Sequence, residues 1–194
     1  MPRLFTGLEI PADAVAMLTG LRGGIPGARW IDPENYHVTL RFIGDVDNRT
    51  AHSVAEMLDG IRRPVFSITL DGVGVFGGRK PHSIFANVAA SPPLSALQAE
   101  QERMMQMLGL PPDPRKFAPH VTIVRCRGVS AGVVATYMES RGGFFWGPIE
   151  ISRFVLFSSR SGQGGGPYVI EEAYPLEGGE FHDDDDHDED DIDA

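Results

Sequence analysis

The chain has 194 residues, 42% hydrophobic and 23% charged, and its net charge of −10 comes from one end, where residues 180–194 carry ten acidic side chains and no Lys or Arg. Outside that stretch 17 acidic residues balance 17 basic ones, so the body is near neutral and its local Arg clusters leave nucleic acid open as a partner. The single cysteine, Cys126, excludes a disulfide framework and a Cys-based metal site; with no apolar run near the ~18 residues of a membrane span and no leader-like segment, a reduced, cytoplasmic setting is expected.

Residues 4–10 read as a first strand, and Pro11 suits the first turn of a helix to about residue 22, with Val15, Leu18 and Leu21 along one side. A Gly-rich loop at 23–27, a short strand at 29–31 and the turn Asp32-Pro33-Glu34-Asn35 lead into an apolar, β-branched run at 36–43. Asp47 is placed to cap a helix over 49–60 whose stripe is Ala51, Val54, Ala55 and Leu58. Phe66, Ile68 and Leu70 then alternate with Ser67, Thr69 and Asp71, the pattern of a half-buried strand. A strand over 82–89 and an amphipathic helix over 93–108, with Leu94, Leu97, Met104 and Leu108 inward, precede the rigid loop Pro111-Pro112-Asp113-Pro114 and a second β-branched run at 120–124. Ser130 is expected to cap a helix to about residue 140, followed by strands over 149–158 and 168–175 joined by a Gly-rich loop. The two halves share this layout, which predicts an α+β protein of two similar lobes. Residues 1–176 are expected to form one domain and 177–194 an acidic, disordered tail, in which His182 and His187 are read as part of a solvated segment.

A tripeptide occurs twice, once in each β-branched run: His37-Val38-Thr39 and His120-Val121-Thr122. Side chains alternate faces along a strand, so each His shares a face with the Thr two residues on. Two such strands around one cleft would present two imidazoles and two hydroxyls to an anionic, oxygen-rich group. Imidazole titrates near pH 6.5, so one neutral ring can take a proton from water while a protonated one gives a proton to a departing oxygen. Threonine hydroxyls can donate to non-bridging phosphoryl oxygens, where charge must be held. This is the equipment of phosphodiester chemistry. A catalytic zinc normally has three protein ligands and no third ligand stands at a telling spacing, so catalysis without metal or cofactor is expected. A forked guanidinium suits phosphate, and Arg41, which shares the parity of His37 and Thr39, is read as a substrate contact, whereas Arg125 has the opposite parity to His120 and needs a bulge or the strand's end to reach the site; Arg127 reads as a surface residue. Gly72-Val73-Gly74-Val75-Phe76-Gly77 matches a dinucleotide-binding pattern literally, but no βαβ unit surrounds it, and a strand-end turn is expected there instead. Residues 162–166 lack the Lys-Ser/Thr of a phosphate-binding loop, and His52 and His82 read as surface residues.

Several segments together resemble the two-histidine (2H) phosphoesterases, and among them the LigT-like RNA 2′,3′-cyclic phosphodiesterases. They are Arg3-Leu4-Phe5-Thr6-Gly7-Leu8-Glu9-Ile10-Pro11, Asn35-Tyr36-His37-Val38-Thr39-Leu40-Arg41-Phe42-Ile43-Gly44, Pro119-His120-Val121-Thr122-Ile123-Val124-Arg125, and Leu156-Phe157-Ser158-Ser159 with Gly166-Pro167-Tyr168. The resemblance covers residues 3–176 and implies a bilobal α+β fold with pseudo-two-fold symmetry, two antiparallel sheets with flanking helices and a central cleft. It implies metal-independent hydrolysis of a terminal 2′,3′-cyclic phosphate to a 2′-phosphate, with His37 as proton donor and His120 as proton acceptor, an assignment the residues alone leave open. By the same resemblance Thr39 and Thr122 hold the phosphate, and Phe42 and Arg125 stand near the substrate. The partner implied is an RNA or oligonucleotide ending in a 2′,3′-cyclic phosphate, and a monomer is expected. Alternatives are a 2′,5′ RNA ligase, a phosphodiesterase on another cyclic or linear diester, and a non-catalytic module that binds RNA ends.

Overall fold

The computed structural model describes residues 2–159 and 166–178; the acidic stretch from 179 onward and the rest of the Gly-rich loop lie outside the described residues. The elements in chain order are β1 (Arg3–Glu9), α1 (Ala12–Thr19), β2 (Arg29–Trp30), a 3-10 turn (Pro33–Asn35), β3 (His37–Asp45), α2 (Asn48–Asp59), β4 (Phe66–Phe76), β5 (Ser83–Val88), α3 (Pro92–Met107), β6 (His120–Arg125), α4 (Ala131–Arg141), β7 (Phe145–Ile151), β8 (Arg153–Ser159) and β9 (Tyr168–Pro175). Asp47, Ser91 and Ser130 cap α2, α3 and α4 by accepting from the backbone N–H three residues on. No helix among the described residues is long and apolar enough to cross a membrane.

The strands form one antiparallel sheet in the order β7-β4-β5-β6-β3-β1-β8-β9, with β2 alongside β6. Its two four-stranded halves meet at a single residue pair, Val38 of β3 opposite Val121 of β6. The halves of the sheet are not the halves of the sequence. The middle of the chain supplies β4 to β7, while the two ends supply β1, β3, β8 and β9, because β8 returns to pair with the open edge of β1. The strand expected over 149–158 is two strands broken at Ser152, with β7 pairing to β4 and β8 to β1. Nor does β4 end in a turn at Gly72: a bulge between Leu70 and Val73 carries it on to Phe76, so the glycine-rich pattern lies largely in a strand. At the C-terminal end Leu176 is buried and Glu177 bonds to Arg63 and Val65.

All four helices bury their stripes in one core against one face of the sheet: Leu18 of α1, Val54 and Leu58 of α2, Leu94 and Leu97 of α3, and Val134 of α4, with Leu4, Leu8, Val38 and Val121 beneath them. In α3 the inward positions are Met105 and Gln101 rather than Met104 and Leu108, which are only partly buried. Gln101 is a polar residue the apolar pattern does not reveal; its side-chain carbonyl accepts from Thr6 Oγ1 at 2.5 Å.

Each His strand carries a bulge at the same place. Gly7 pairs with Thr39 but Thr6 with Arg41, leaving Leu40 over; Phe85 pairs with Thr122 but Ile84 with Val124, leaving Ile123 over. At a bulge two consecutive side chains turn to one side and the phase of the strand shifts. Leu40 and Arg41 therefore both point to the helices, as do Ile123 and Val124. This corrects the placement of Arg41 as a substrate contact. Its side chain, 5% exposed, ion-pairs with Glu102 of α3 and donates to the carbonyl of Pro111 at 2.5 Å, and its backbone N–H donates to Thr6 Oγ1 at 3.1 Å. Replacing Arg41 by Ala strands the largely buried Glu102 carboxylate, and urea unfolding should show a loss of about 3 kcal/mol. An unchanged urea midpoint would show that the pair contributes nothing to the fold.

Candidate active site

Extending the Val38–Val121 register by one residue to either side sets His37 against Thr122 and Thr39 against His120, on the sheet face away from the helices. One unit of pairing thus brings two copies of the tripeptide together in crossed order. His37 Nδ1 lies 2.8 Å from the Asn35 carbonyl oxygen, and His120 Nδ1 lies 2.6 Å from that of Ala118. A carbonyl oxygen only accepts, so both rings carry a proton on Nδ1 and turn Nε2 outward. Thr39 Oγ1 is 3.1 Å from His37 Nε2 and donates to it when the ring is neutral.

Each imidazole rests on aromatic rings from the two neighbouring strands. Phe5 of β1 lies 5.1 Å and Phe157 of β8 5.7 Å from the His37 ring, with the edge of Tyr168 at 5.0 Å. Phe85 of β5 and Phe76 of β4 each lie 5.0 Å from the His120 ring. Glycines make room for these floors. A Cβ on Gly74 would come within 2.4 Å of the Phe85 ring, so only a residue without a side chain lets the ring lie flat there. Asn35 performs two tasks: its backbone carbonyl holds His37, and its side-chain oxygen accepts from the Tyr168 N–H at 3.3 Å. The chain passes so close to Asn35 at Gly166, where φ is +88°, that a Cβ would stand 2.5 Å from its amide.

Burial among these rings disfavours the charged form, and this is the main reason both imidazoles are held below the ordinary histidine pKa. The carbonyl bonds to Nδ1 oppose the shift, while the positive charge of Arg125 adds to it at both rings. The bulge at Ile123 turns Arg125 to the site face, as its parity requires. Phe42 returns to the site face by the equivalent bulge and packs on the Phe5–Val155–Phe157 cluster, with the Arg3 guanidinium 5.2 Å from its ring centre. So the structure gathers His37, Thr39, His120, Thr122, Phe42 and Arg125 and sends Arg41 to the other face. His52 is exposed on α2 beside Glu56, and the ring of the exposed His82 stacks on Phe76. Among the described residues no three His, Cys, Asp or Glu side chains gather as metal ligands would. The residues alone gave no role to the five floor rings or the two anchoring carbonyls, although Phe5, Phe157 and Tyr168 lie in the segments that carry the family resemblance.

A family model described as LigT-like phosphoesterase matches the chain twice, over residues 8–86 and 84–168, so that each match contains one His-Val-Thr strand. The chain belongs to this family. An RNA 2′,3′-cyclic phosphodiesterase of Aeropyrum pernix is 32% identical over 139 residues, 70% of this chain and 78% of the relative. One of Aquifex aeolicus is 28% identical over 77% of this chain and 82% of its own length. Among solved structures, Escherichia coli LigT complexed with 3′-AMP superposes with a TM-score of 0.74 at 22% identity, covering 91% of this chain and 99% of that one. A Thermus thermophilus protein gives a TM-score of 0.72 at 21% identity over 90% of this chain. The LigT-like fold is thus shared along almost the whole described length.

Two outcomes follow from this geometry. In an NMR titration both imidazoles should titrate below pH 6.5, with the proton on Nδ1 in their neutral forms. Since the folded pKa values are depressed, the two neutral rings contribute stability above pH 6.5 that is lost as pH falls toward the folded values. Titration at or above 6.5 would contradict the burial argument. Phe85→Ala should open His120 to water and bring its titration back toward 6.5 while leaving that of His37 in place.

Proposed function

We propose that this LigT-like phosphoesterase hydrolyses 2′,3′-cyclic phosphate ends of RNA to 2′-phosphates, with His37 as acid and His120 as base and without a metal. The observation that carries the reading is the antiparallel Val38–Val121 pair, whose register sets two His/Thr sets opposite each other in crossed order, with each ring anchored at Nδ1 and its Nε2 turned toward the site. The names of the curated relatives, RNA 2′,3′-cyclic phosphodiesterase, support the same substrate. His120 Nε2 takes a proton from water as its oxygen attacks phosphorus. The P–O3′ bond breaks, and protonated His37 gives its Nε2 proton to O3′ as it departs. Two proton transfers and one bond exchange balance, leaving a 2′-phosphate and a free 3′-hydroxyl. Thr39 and Thr122 donate to the non-bridging oxygens, and Arg125 opposes the charge that builds there.

Burial works against a protonated His37 in the free protein. The anionic phosphodiester reverses that, because a negative charge beside a buried ring favours imidazolium. The enzyme should therefore show a bell-shaped kcat/KM with its optimum on the acid side of pH 6.5, and an alkaline limb of kcat displaced to higher pH. A short RNA with a 2′,3′-cyclic phosphate end, incubated in EDTA and followed by phosphorus NMR, should yield the 2′-phosphate. His37→Ala and His120→Ala should each lower kcat by about 10²–10⁴-fold. Retention of the intact cyclic phosphate by the wild type would overturn the hydrolase reading in favour of an end-binding module.

A further inference from the structure

Beside His37 lies a cavity of about 410 Å³ that extends past the two His/Thr sets. Its size falls within the range of small-molecule sites. It is bounded by the end of β1, the first turn of α1, the 3-10 turn and β9, and it shares His37, Phe157 and Tyr168 with the site. The walls are mostly apolar: Ile10 and Val15 on one side, Pro33 at the turn, and Ile170, a β9 side chain left 42% exposed. The polar groups on it are unsuited to phosphate, since two are the carboxylates Glu9 and Glu34. Glu9 is already engaged, because Arg153 donates to both its oxygens at 2.7 and 3.0 Å. The Asn35 side-chain oxygen is occupied by Tyr168 N–H. Glu34 is exposed and forms no ion pair among the described residues, so it is the acceptor left to meet a ligand.

An apolar slot with one free carboxylate at its rim fits a flat heterocycle carrying an amino group. We infer that this cavity is a nucleobase subsite for the terminal nucleoside, with Glu34 accepting from an exocyclic amine and selecting cytosine, adenine or guanine over uracil. The inference rests on the phosphodiesterase reading for its orientation. His37 protonates O3′ of the terminal ribose, so the base of that same nucleoside is the group within reach of a cavity that borders His37. Uracil turns a carbonyl where cytosine turns an amine, and a carbonyl facing a carboxylate is repelled.

The test measures the affinity of cytidine 2′-phosphate and uridine 2′-phosphate by isothermal titration for the wild type, Glu34→Gln and Ala12→Trp. Glutamine can donate as well as accept, so it removes the discrimination; Ala12 is an exposed cavity-wall residue at the first position of α1, where Trp fills the space without entering the core. We expect the wild type to prefer cytidine about ten-fold, the preference to fall close to one in Glu34→Gln, and Ala12→Trp to weaken both ligands. Equal wild-type affinities, a preference that survives Glu34→Gln, or an Ala12→Trp variant that binds both ligands as the wild type does would overturn the subsite. Turnover separates the two readings. Equal kcat/KM on cytidine and uridine 2′,3′-cyclic phosphates with equal affinities keeps the phosphodiesterase and loses the subsite; a cytidine preference without turnover does the reverse.

Discussion

One residue pair, Val38 with Val121, joins the two halves of the sheet, and the site depends on it. Because the pairing is antiparallel, identical tripeptides on the two strands meet in opposite order, so each imidazole faces the hydroxyl of the other strand. A parallel pairing of the same sequences would set His beside His and Thr beside Thr, and would place two titratable rings in direct repulsion. The valines fix which faces are which. Both are fully buried under the helices, so the flanking His and Thr have no choice but the opposite face.

That face has its own solvent. The helices bury their stripes on the valine side, and on the other side the rings of Phe5, Phe157, Phe76 and Phe85 take the place of water beneath the two imidazoles. Carbonyl oxygens from two residues upstream of each His fix the tautomer without adding charge. The result is a pair of bases whose burial favours the neutral form. Among the described residues neither histidine has a carboxylate ion-pair partner; in the proposed reaction the phosphodiester itself brings the negative charge that favours an imidazolium.

Much of this was legible in the residues. The repeated tripeptide located the two central strands, the Asp47 and Ser130 caps located two helices, and the alternation at Phe66, Ile68 and Leu70 located a strand. What escaped were the features that depend on pairing rather than on local pattern. A bulge after Thr39 is a property of two strands, so parity alone sent Arg41 to the wrong face and left Arg125 short of the right one. Ser152 reads as one more polar position in a strand, and only the competition of β4 and β1 for partners shows it as a crossing point. Gln101 is hidden for the same reason: its burial answers to Thr6, 95 positions away.

The division of the sheet between the middle and the ends of the chain has a consequence for synthesis on the ribosome. The floor under His120, Phe76 and Phe85, belongs to a stretch that pairs with itself and can close as soon as β6 has emerged. The floor under His37 needs Phe157 and Tyr168, so the first strand made waits, one edge open, for nearly the last. A nascent or prematurely terminated chain therefore carries at most one finished imidazole, and the second is completed only when the whole β-layer has left the exit tunnel. Topology alone thus keeps the complete pair of imidazoles out of fragments.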